Sequence, residues 1–145
     1  GMGVFCFYGI LILMRERDFY RDVQSWVKSI NLETAVIELK LCKTKRFLFS
    51  DVKPHQVSNL LAAATSKLTY KIPDVGMDQK PFDICLWNRC YAYVAVIFYE
   101  ARKPKRIYLI NILDFIKIRD QFLEKKKYSL LEEDCLAIAT RHSQF

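Results

Sequence analysis

The most informative segment of the chain spans residues 34–42 and reads TAVIELKLC. Its β-branched and aliphatic residues predict a β-strand, because they suit a pleated and largely buried surface. Successive side chains of a strand point to opposite faces. One face carries only aliphatic side chains: Ala35, Ile37, Leu39 and Leu41. The other carries Val36, Glu38 and Lys40, and burying either charge without a partner costs several kcal/mol.

Helices are expected before and after this strand in the sequence. Over residues 16–30 the apolar side chains recur at helical spacing: Phe19, Val23, Trp26, Val27 and Ile30. This spacing predicts an amphipathic helix, and Glu16 falls in its first turn, where the helix dipole favours a carboxylate. A second helix is predicted after Ser50 and Asp51, which offer caps, with Pro54 in its first turn. Gln56 lies one turn before Leu60 in that helix and is expected to face partly inward.

The middle of the chain predicts a loop followed by strands. Residues 69–79 hold a proline and a glycine and are expected to form a loop. Two apolar, aromatic runs, 82–87 and 91–99, stand on either side of Asn-Arg-Cys and predict a hairpin. Residues 107–110, IYLI, are apolar and predict a further strand.

The last third of the chain predicts two helices. One is expected near residues 114–119, and the other opens at Ser129 with Glu132 as its capping-box partner. A chain of 145 residues fits a single domain, here residues 1–145. The order of elements predicts an α/β protein with a mixed central sheet flanked by helices.

The charge balance concerns partners rather than fold. Lys and Arg total 23 and Asp and Glu total 16, which gives a formal net charge of +7. An excess of this size suits a polyanionic partner. Hydrophobic residues make up 52% of the chain, which is typical of a globular protein and excludes a disordered one.

The amino-terminal residues 4–13, VFCFYGILIL, form an apolar run. The run is shorter than the roughly 20 residues that span a bilayer, and no basic stretch or small-residue cleavage site accompanies it, so we expect neither a membrane anchor nor a signal peptide. It is expected to form a buried or edge strand. Alternatively Met14 is the natural start, so residues 1–13 are treated as an extension of a core at 14–145.

The cysteines are odd in number and scattered, with no Cys-x-x-Cys pair: Cys6, Cys42, Cys85, Cys90 and Cys135. This pattern predicts neither a disulfide framework nor a zinc site, and it indicates reduced thiols in a cytoplasmic setting. His55 and His142 have no Asp, Cys or Ser at a spacing that would indicate a catalytic triad.

Glu38 and Lys40 form the pair that could carry chemistry. They lie on one face of the predicted strand, about 6.5 Å apart along it. A carboxylate can bind a hard divalent cation, and a neighbouring ammonium can orient a water or offset charge on a phosphate. The alternative is a structural ion pair on a half-exposed strand, since Glu-x-Lys is a common tripeptide.

The arrangement resembles the PD-(D/E)XK nuclease superfamily, and within it the Holliday-junction resolvases. Residues 16–19, Glu-Arg-Asp-Phe, look like the opening of that family's first helix, and residues 36–40 look like its Glu-x-Lys strand. His55-Gln56 resembles the pair that opens the next helix in bacterial-type resolvases. Residues 92–98 and 107–110 resemble the late core strands. The resemblance covers residues 16–118 and rests on the order of the motifs.

The resemblance implies a restriction-endonuclease-like core and a Mg²⁺-dependent (or Mn²⁺-dependent) DNA endonuclease acting on branched DNA and leaving a 5′-phosphate. It implies that Glu38 is a metal ligand, that Glu16 is a further ligand or a proton-transfer residue, and that Lys40 and Gln56 act on the attacking water. Because a junction resolvase cuts two strands symmetrically, the resemblance also implies a homodimer, which the apolar amino-terminal run could help to bury.

One departure concerns the family's aspartate ligand, which normally lies on a hairpin between the first helix and the Glu-x-Lys strand. Only residues 31–33 fill that gap here. Asp83, at the start of a later predicted strand, is expected to supply the missing carboxylate, with Asp74 in reserve. An ordinary turn residue is an equal interpretation of Asp83. Without an aspartate, the protein would bind nucleic acid without cutting it.

Two basic sets flank the predicted site and are expected to contact DNA phosphates. They are Lys43, Lys45, Arg46 and Lys53, and Arg102, Lys103, Lys105 and Arg106. Solvated loops are the plainer interpretation. Two other functions stay open: a catalytically inactive nucleic-acid-binding module on the same fold, and a protein-interaction domain.

Overall fold

The computed structural model describes residues 3–7, 10–14, 19–30, 34–72, 83–88 and 90–145. Its strands within those residues are β1 (Gly3–Phe7), β2 (Ile10–Met14), β3 (Ala35–Cys42), β4 (Arg46–Leu48), β5 (Lys67–Lys71), β6 (Ile84–Asn88), β7 (Tyr91–Phe98), β8 (Arg106–Asn111), β9 (Ser129–Leu131) and β10 (Arg141–Gln144). Its helices are α1 (Tyr20–Ser29), α2 (Pro54–Thr65), α3 (Ile112–Glu124) and α4 (Glu132–Ile138).

The main sheet is mixed, which confirms the predicted α/β class. Strands β3 and β7 run parallel, and β8 and β10 continue the sheet in antiparallel fashion. The hairpin of β1 and β2 extends the sheet on the other side, with β2 parallel to β3, so that the order is β1-β2-β3-β7-β8-β10. Strand β3 therefore has a neighbour on each side. Both faces of a strand in that position can be covered, which explains its nearly continuous burial.

Each face of the sheet has its own hydrophobic core. On one face, Val23 and Val27 of the predicted stripe of α1 pack with Ile37 and Leu39, two of the side chains that the sequence placed on one face of β3. On the other face, α2 and α3 contribute Leu60 and other apolar side chains to a cluster that contains Val36 and Cys42. Glu38 and Lys40 share this second face. Helix α2, which connects the two parallel strands, covers it.

The predicted hairpin of residues 82–87 and 91–99 is wrong. Strand β6 pairs with β5 in a separate two-stranded ribbon, and β7 pairs with β3 and β8 in the main sheet. The predicted loop at 69–79 is wrong in its first residues, because β5 extends to Lys71; residues 73–80 lie outside the described residues. The spacing of two apolar runs indicates strands but does not say which partner each one takes.

The carboxyl-terminal elements also differ from the prediction. Ser129 lies in strand β9, and the last helix begins at Glu132, where the side chain of Asp134 accepts a hydrogen bond from the Leu131 backbone N–H at 2.9 Å. Helix α3 is longer than predicted, and Asn111 caps it by accepting from the Leu113 N–H. Strand β10 was not predicted, because its sequence RHSQ has no hydrophobic alternation.

The apolar amino-terminal run forms the two paired strands β1 and β2 rather than one strand. Among the described residues, no helix has the length and apolar character needed to cross a bilayer. Cys42, Cys90 and Cys135 are free thiols, while nothing is described of the side chains of Cys6 and Cys85.

Candidate functional site

Glu38 and Lys40 form a buried ion pair on the inner strand β3. Glu38 is fully buried, and Lys40 is 6% exposed. The Lys40 Nζ lies 3.3 Å from Oε1 of Glu38. The two charges therefore compensate each other inside the protein, as a charged pair must when water is excluded. This excludes the half-exposed strand that the plainer interpretation of the pair assumed.

Gln56 is the third member of the cluster, and α2 brings it to the sheet. Pro54 stands at the start of α2, where its fixed φ suits the first turn and its missing N–H costs nothing. Gln56, 1% exposed, lies in that turn and donates from Nε2 to Oε1 of Glu38 at 2.8 Å. Its own Oε1 accepts from the Lys53 backbone N–H at 2.9 Å. The sequence predicted a partly inward Gln56, and the structure buries it.

The start of α2 differs from the sequence prediction. Ser50 and Asp51 do not cap the helix, since they belong to a short 3-10 helix at Phe49–Asp51. Lys53 is the N-cap, and the Gln56 side chain satisfies its N–H. A helix start needs acceptors for its first N–H groups. Here the acceptor comes from a residue of the helix itself. The Gln56 side chain therefore both caps the start of the helix and binds Glu38.

The groups that surround Glu38 complement the negative charge of a carboxylate. A full positive charge at Lys40 and an amide N–H at Gln56 both approach Oε1. The amino-terminal end of α2 carries the positive end of the helix dipole, which also stabilises a nearby carboxylate. Both of these contacts engage Oε1 of Glu38.

The other predicted acids have different outcomes. Asp83 is exposed just before β6, in the two-stranded ribbon rather than the main sheet, and its backbone carbonyl accepts from the Ile72 N–H at 2.9 Å. Glu16 and Asp74 lie outside the described residues. Within the described part of the chain, no three His, Cys, Asp or Glu side chains gather into a group that could hold a metal ion.

The carboxylate of Glu38 is a type of ligand that Mg²⁺ and Mn²⁺ bind. Magnesium takes oxygen ligands and is commonly held by one or two carboxylates, with water and substrate phosphate completing its shell. Glu38 can supply one such carboxylate. The predicted sources of a second carboxylate are Asp83, Glu16 and Asp74.

The two predicted basic sets meet at one end of the sheet but differ in their surroundings. The register pairs Cys42 with Phe98, and Phe98 with Arg106, so the β3–β4 and β7–β8 turns are neighbours. Carboxylates engage three members of the second set: Lys103 with Glu100, Lys105 with Asp22, and Arg106 with Glu132. Of the first set, Lys43, Lys45, Arg46 and Lys53 are all exposed.

A second polar cluster, Arg106, Tyr108 and Glu132, was missed by the sequence analysis. Oε2 of Glu132 accepts from Arg106 Nε at 2.5 Å and from Tyr108 Oη at 2.6 Å. Burial and the bond to Glu132 raise the pKa of Tyr108 well above its usual 10. Burial favours a higher pKa for Glu132, but the bonds from Arg106 and Tyr108 outweigh it and hold this pKa below 4.5. Only the alternation of Arg106 and Tyr108 along β8 hinted that they share a face.

Comparison of the chain with protein-family models, with curated proteins and with solved structures gave no match in any of the three. The features that bear on function are therefore the geometry of Glu38, Lys40 and Gln56 and the order of the elements that carry them.

Proposed function

We propose that the chain is a metal-dependent DNA endonuclease of the PD-(D/E)XK type, with a restriction-endonuclease-like core. The observation that carries this proposal is the buried contact of Lys40 and Gln56 with Oε1 of Glu38. A carboxylate and an ammonium are costly to bury and seldom stabilise a fold more than apolar side chains of similar size. Their retention on an inner strand supports a chemical role.

The order of elements supports the same assignment. Helix α1 precedes β3, and α2 with its inward Gln56 leads to β7, which lies parallel to β3. This is the order in which the resemblance places the family's motifs. One departure persists: α1 ends at Ser29 and β3 begins at Ala35, which leaves too little chain for the family's hairpin.

Each residue of the cluster has a role in this proposal. Glu38 binds the divalent cation, assisted by Asp83 and Glu16, with Asp74 as the alternative to Asp83. Lys40 holds the attacking water and offsets charge on the phosphate. Gln56 fixes the Glu38 carboxylate and assists in orienting the water. A divalent cation held by these carboxylates would supply Lewis-acid stabilisation of the scissile phosphate.

The proposed substrate is branched DNA, and the proposed assembly is a homodimer. The net charge of +7 suits a polyanion. Two cuts placed symmetrically across a junction need two active sites related by a two-fold axis. The product by family resemblance carries a 5′-phosphate.

The test is cleavage of a synthetic four-way DNA junction with Mg²⁺ or Mn²⁺. Glu38→Gln and Lys40→Met, each assayed at a temperature below its own unfolding transition, should slow cleavage by about 100-fold or more, since each removes a charge from the reacting centre. Glu133→Gln, which removes an exposed acid from α4, is the matched control and should cut at the parental rate. Parental cleavage by both site variants would assign the activity elsewhere.

A second candidate is a nucleic-acid-binding module on the same fold that has lost catalysis. It is favoured by the absence of any three-acid group among the described residues and by the full burial of Glu38. The two candidates differ in one assay: the inactive module binds the junction but leaves it intact with either metal. Asp83→Asn, Asp74→Asn and Glu16→Gln then identify the acid that completes an active site.

A further inference from the structure

Glu38 and Lys40 on β3 and Gln56 on α2 form what we call the Glu38 cluster. The chain that joins these two elements is short, and a residue of the cluster lies near each of its ends. Lys43 follows Lys40 by three residues, and Lys53 precedes Gln56 by three. Because an extended chain advances at most about 3.6 Å per residue, the Cα atoms of Lys43 and Lys53 each lie within about 11 Å of a cluster residue. We call residues 43–53 the connecting segment. The backbone at the two ends of the connecting segment therefore lies close to the cluster.

The connecting segment is strongly basic. It holds Lys43, Lys45, Arg46 and Lys53 against a single acid, Asp51, and all five are exposed. Its net charge is therefore 4 − 1 = +3. Among the described residues, no carboxylate forms an ion pair with any of the four cations. Such cations are available to an external anion without first breaking an internal pair.

Three cations at the neighbouring β7–β8 turn, by contrast, are paired with carboxylates. Lys103 pairs with Glu100 at 3.1 Å, and Lys105 pairs with Asp22 at 2.9 Å. Lys105 also lies over the Phe19 ring, 4.7 Å from its centre. Arg106 is held by Glu132. An anion that approached this turn would compete with carboxylates already in place, so the two turns differ although their sequences are similarly basic.

The open shape of the cleft beside the connecting segment also indicates an extended ligand. An open cleft of about 440 Å³ lies there, lined by Leu41, Cys42, Lys43, Thr44, Arg46, Leu48 and Asp51. Small-molecule sites are concave and mostly enclosed. An open cleft with cations on its rim better suits a chain that passes across it.

We propose that the connecting segment, and not the β7–β8 turn, holds the sugar–phosphate backbone of DNA. The ligand class rests on the proposed function, but the choice of surface rests on charge and geometry alone. Lys43, Lys45, Arg46 and Lys53 neutralise successive phosphates on the strand that leads to the Glu38 cluster. Such contacts position the duplex and carry no sequence preference.

The experiment is equilibrium binding of a fluorescent DNA junction without divalent cation, so that cleavage does not enter. One variant removes three cations of the connecting segment (Lys43→Ala, Lys45→Ala, Arg46→Ala). A matched control removes three exposed lysines on and after α3 (Lys117→Ala, Lys125→Ala, Lys127→Ala). All six side chains are exposed, and equal melting temperatures will verify that both variants fold.

The segment variant should bind with a Kd about 10- to 100-fold higher at physiological salt, because each phosphate contact releases about 0.9 counterion. For the same reason, the slope of log Kd against log salt should fall by about 2.7. The control should bind within about twofold of the parent. Equal binding by the segment variant and the parent would overturn the proposal, as would an equal loss in the control.

Two further measurements separate this surface from the proposed catalysis. Glu38→Gln should bind the junction like the parent, so loss of cutting with retained binding supports both proposals. If the parent never cuts but the segment variant loses binding, the DNA surface stands and the nuclease assignment fails. Displacement of the junction by poly-glutamate at equal charge concentration would assign the surface to an acidic protein and overturn the DNA proposal.

Discussion

Gln56 donates its side-chain N–H to Oε1 of Glu38 at 2.8 Å, although 18 residues separate them in the chain. The contact joins the first turn of α2 to the middle of β3. The same amide accepts from the Lys53 N–H, so that the start of the helix and the buried carboxylate depend on one side chain. Gln56 thus fixes the position of the Glu38 carboxylate relative to the start of α2.

Replacing Gln56 with leucine tests this relationship. Gln56→Leu leaves Glu38 without one donor and the Lys53 N–H without its acceptor, and each loss costs about 1–3 kcal/mol. Urea unfolding should therefore show a decrease of about 2–6 kcal/mol in the free energy of unfolding. Asn59→Ala, at an exposed position of α2, is the control and should change it by less than about 0.5 kcal/mol. An equal effect in both variants would contradict the linking role.

The buried ion pair predicts strong coupling between Glu38 and Lys40. Lys40→Met alone leaves a buried carboxylate uncompensated and should cost about 3–5 kcal/mol of unfolding free energy. The double variant Glu38→Gln, Lys40→Met removes both charges and keeps an acceptor for Gln56. It should regain most of that loss, which a double-mutant cycle from urea unfolding measures. Additive effects of the two substitutions would mean that the pair does not interact in solution.

The Glu132 cluster predicts a pH dependence of stability. Burial opposes ionisation of Glu132, but Arg106 and Tyr108 hold its pKa below the usual 4.5 in the folded protein. A carboxyl group with a lowered folded pKa stabilises the protein above its unfolded pKa, and this contribution disappears as the pH falls through the folded pKa. The stability difference between the parent and Glu132→Gln should be largest above pH 4.5 and shrink as the pH falls below it.

The measurement is the urea midpoint of the parent and of Glu132→Gln across that pH range. Glu133→Gln controls for the loss of one negative charge from the same turn of α4. A difference between the parent and Glu132→Gln that grows as the pH falls would contradict the assignment.

The buried thiol of Cys135 predicts slow chemical modification. Burial, with smaller contributions from Asp134, Cys42 and Glu132, raises the pKa of Cys135 to about 12. The thiolate is the reactive form, so little of it is present near neutral pH. Iodoacetamide labelling followed by peptide mass spectrometry should modify the half-buried Cys90 before Cys135 in the native protein. In urea the two cysteines should react at similar rates. Equal labelling of Cys90 and Cys135 in the native protein would show that Cys135 is not buried as described.

Some elements could be predicted from local pattern alone. Strand β3 was expected within one residue of its observed start, because β-branched and aliphatic residues dominate it. The buried stripe of α1 and the position of Pro54 at the start of α2 follow from helical spacing and fixed proline geometry. The inward direction of Gln56 also follows from helical spacing, because it lies one turn before the buried Leu60.

Strand pairing and charge pairing were not predictable in this way. The apolar runs at β6 and β7 are adjacent in sequence, yet β6 joins β5 in the ribbon, and β7 joins β3 and β8 in the main sheet. The two basic turns have similar compositions, yet carboxylates from α1 and α4 engage only the second among the ion pairs described. Both outcomes depend on residues far away in the chain.

The amino-acid sequence alone determined the α/β class, the face on which Glu38 and Lys40 lie, and the excess of positive charge. These properties follow from alternation, helical period and composition, which are local or additive. The tertiary structure decided that the pair is buried rather than half-exposed, that Gln56 binds Glu38, and that the connecting segment keeps its cations available. Those features are contacts between distant segments, and a contact exists only once packing has brought its two sides together.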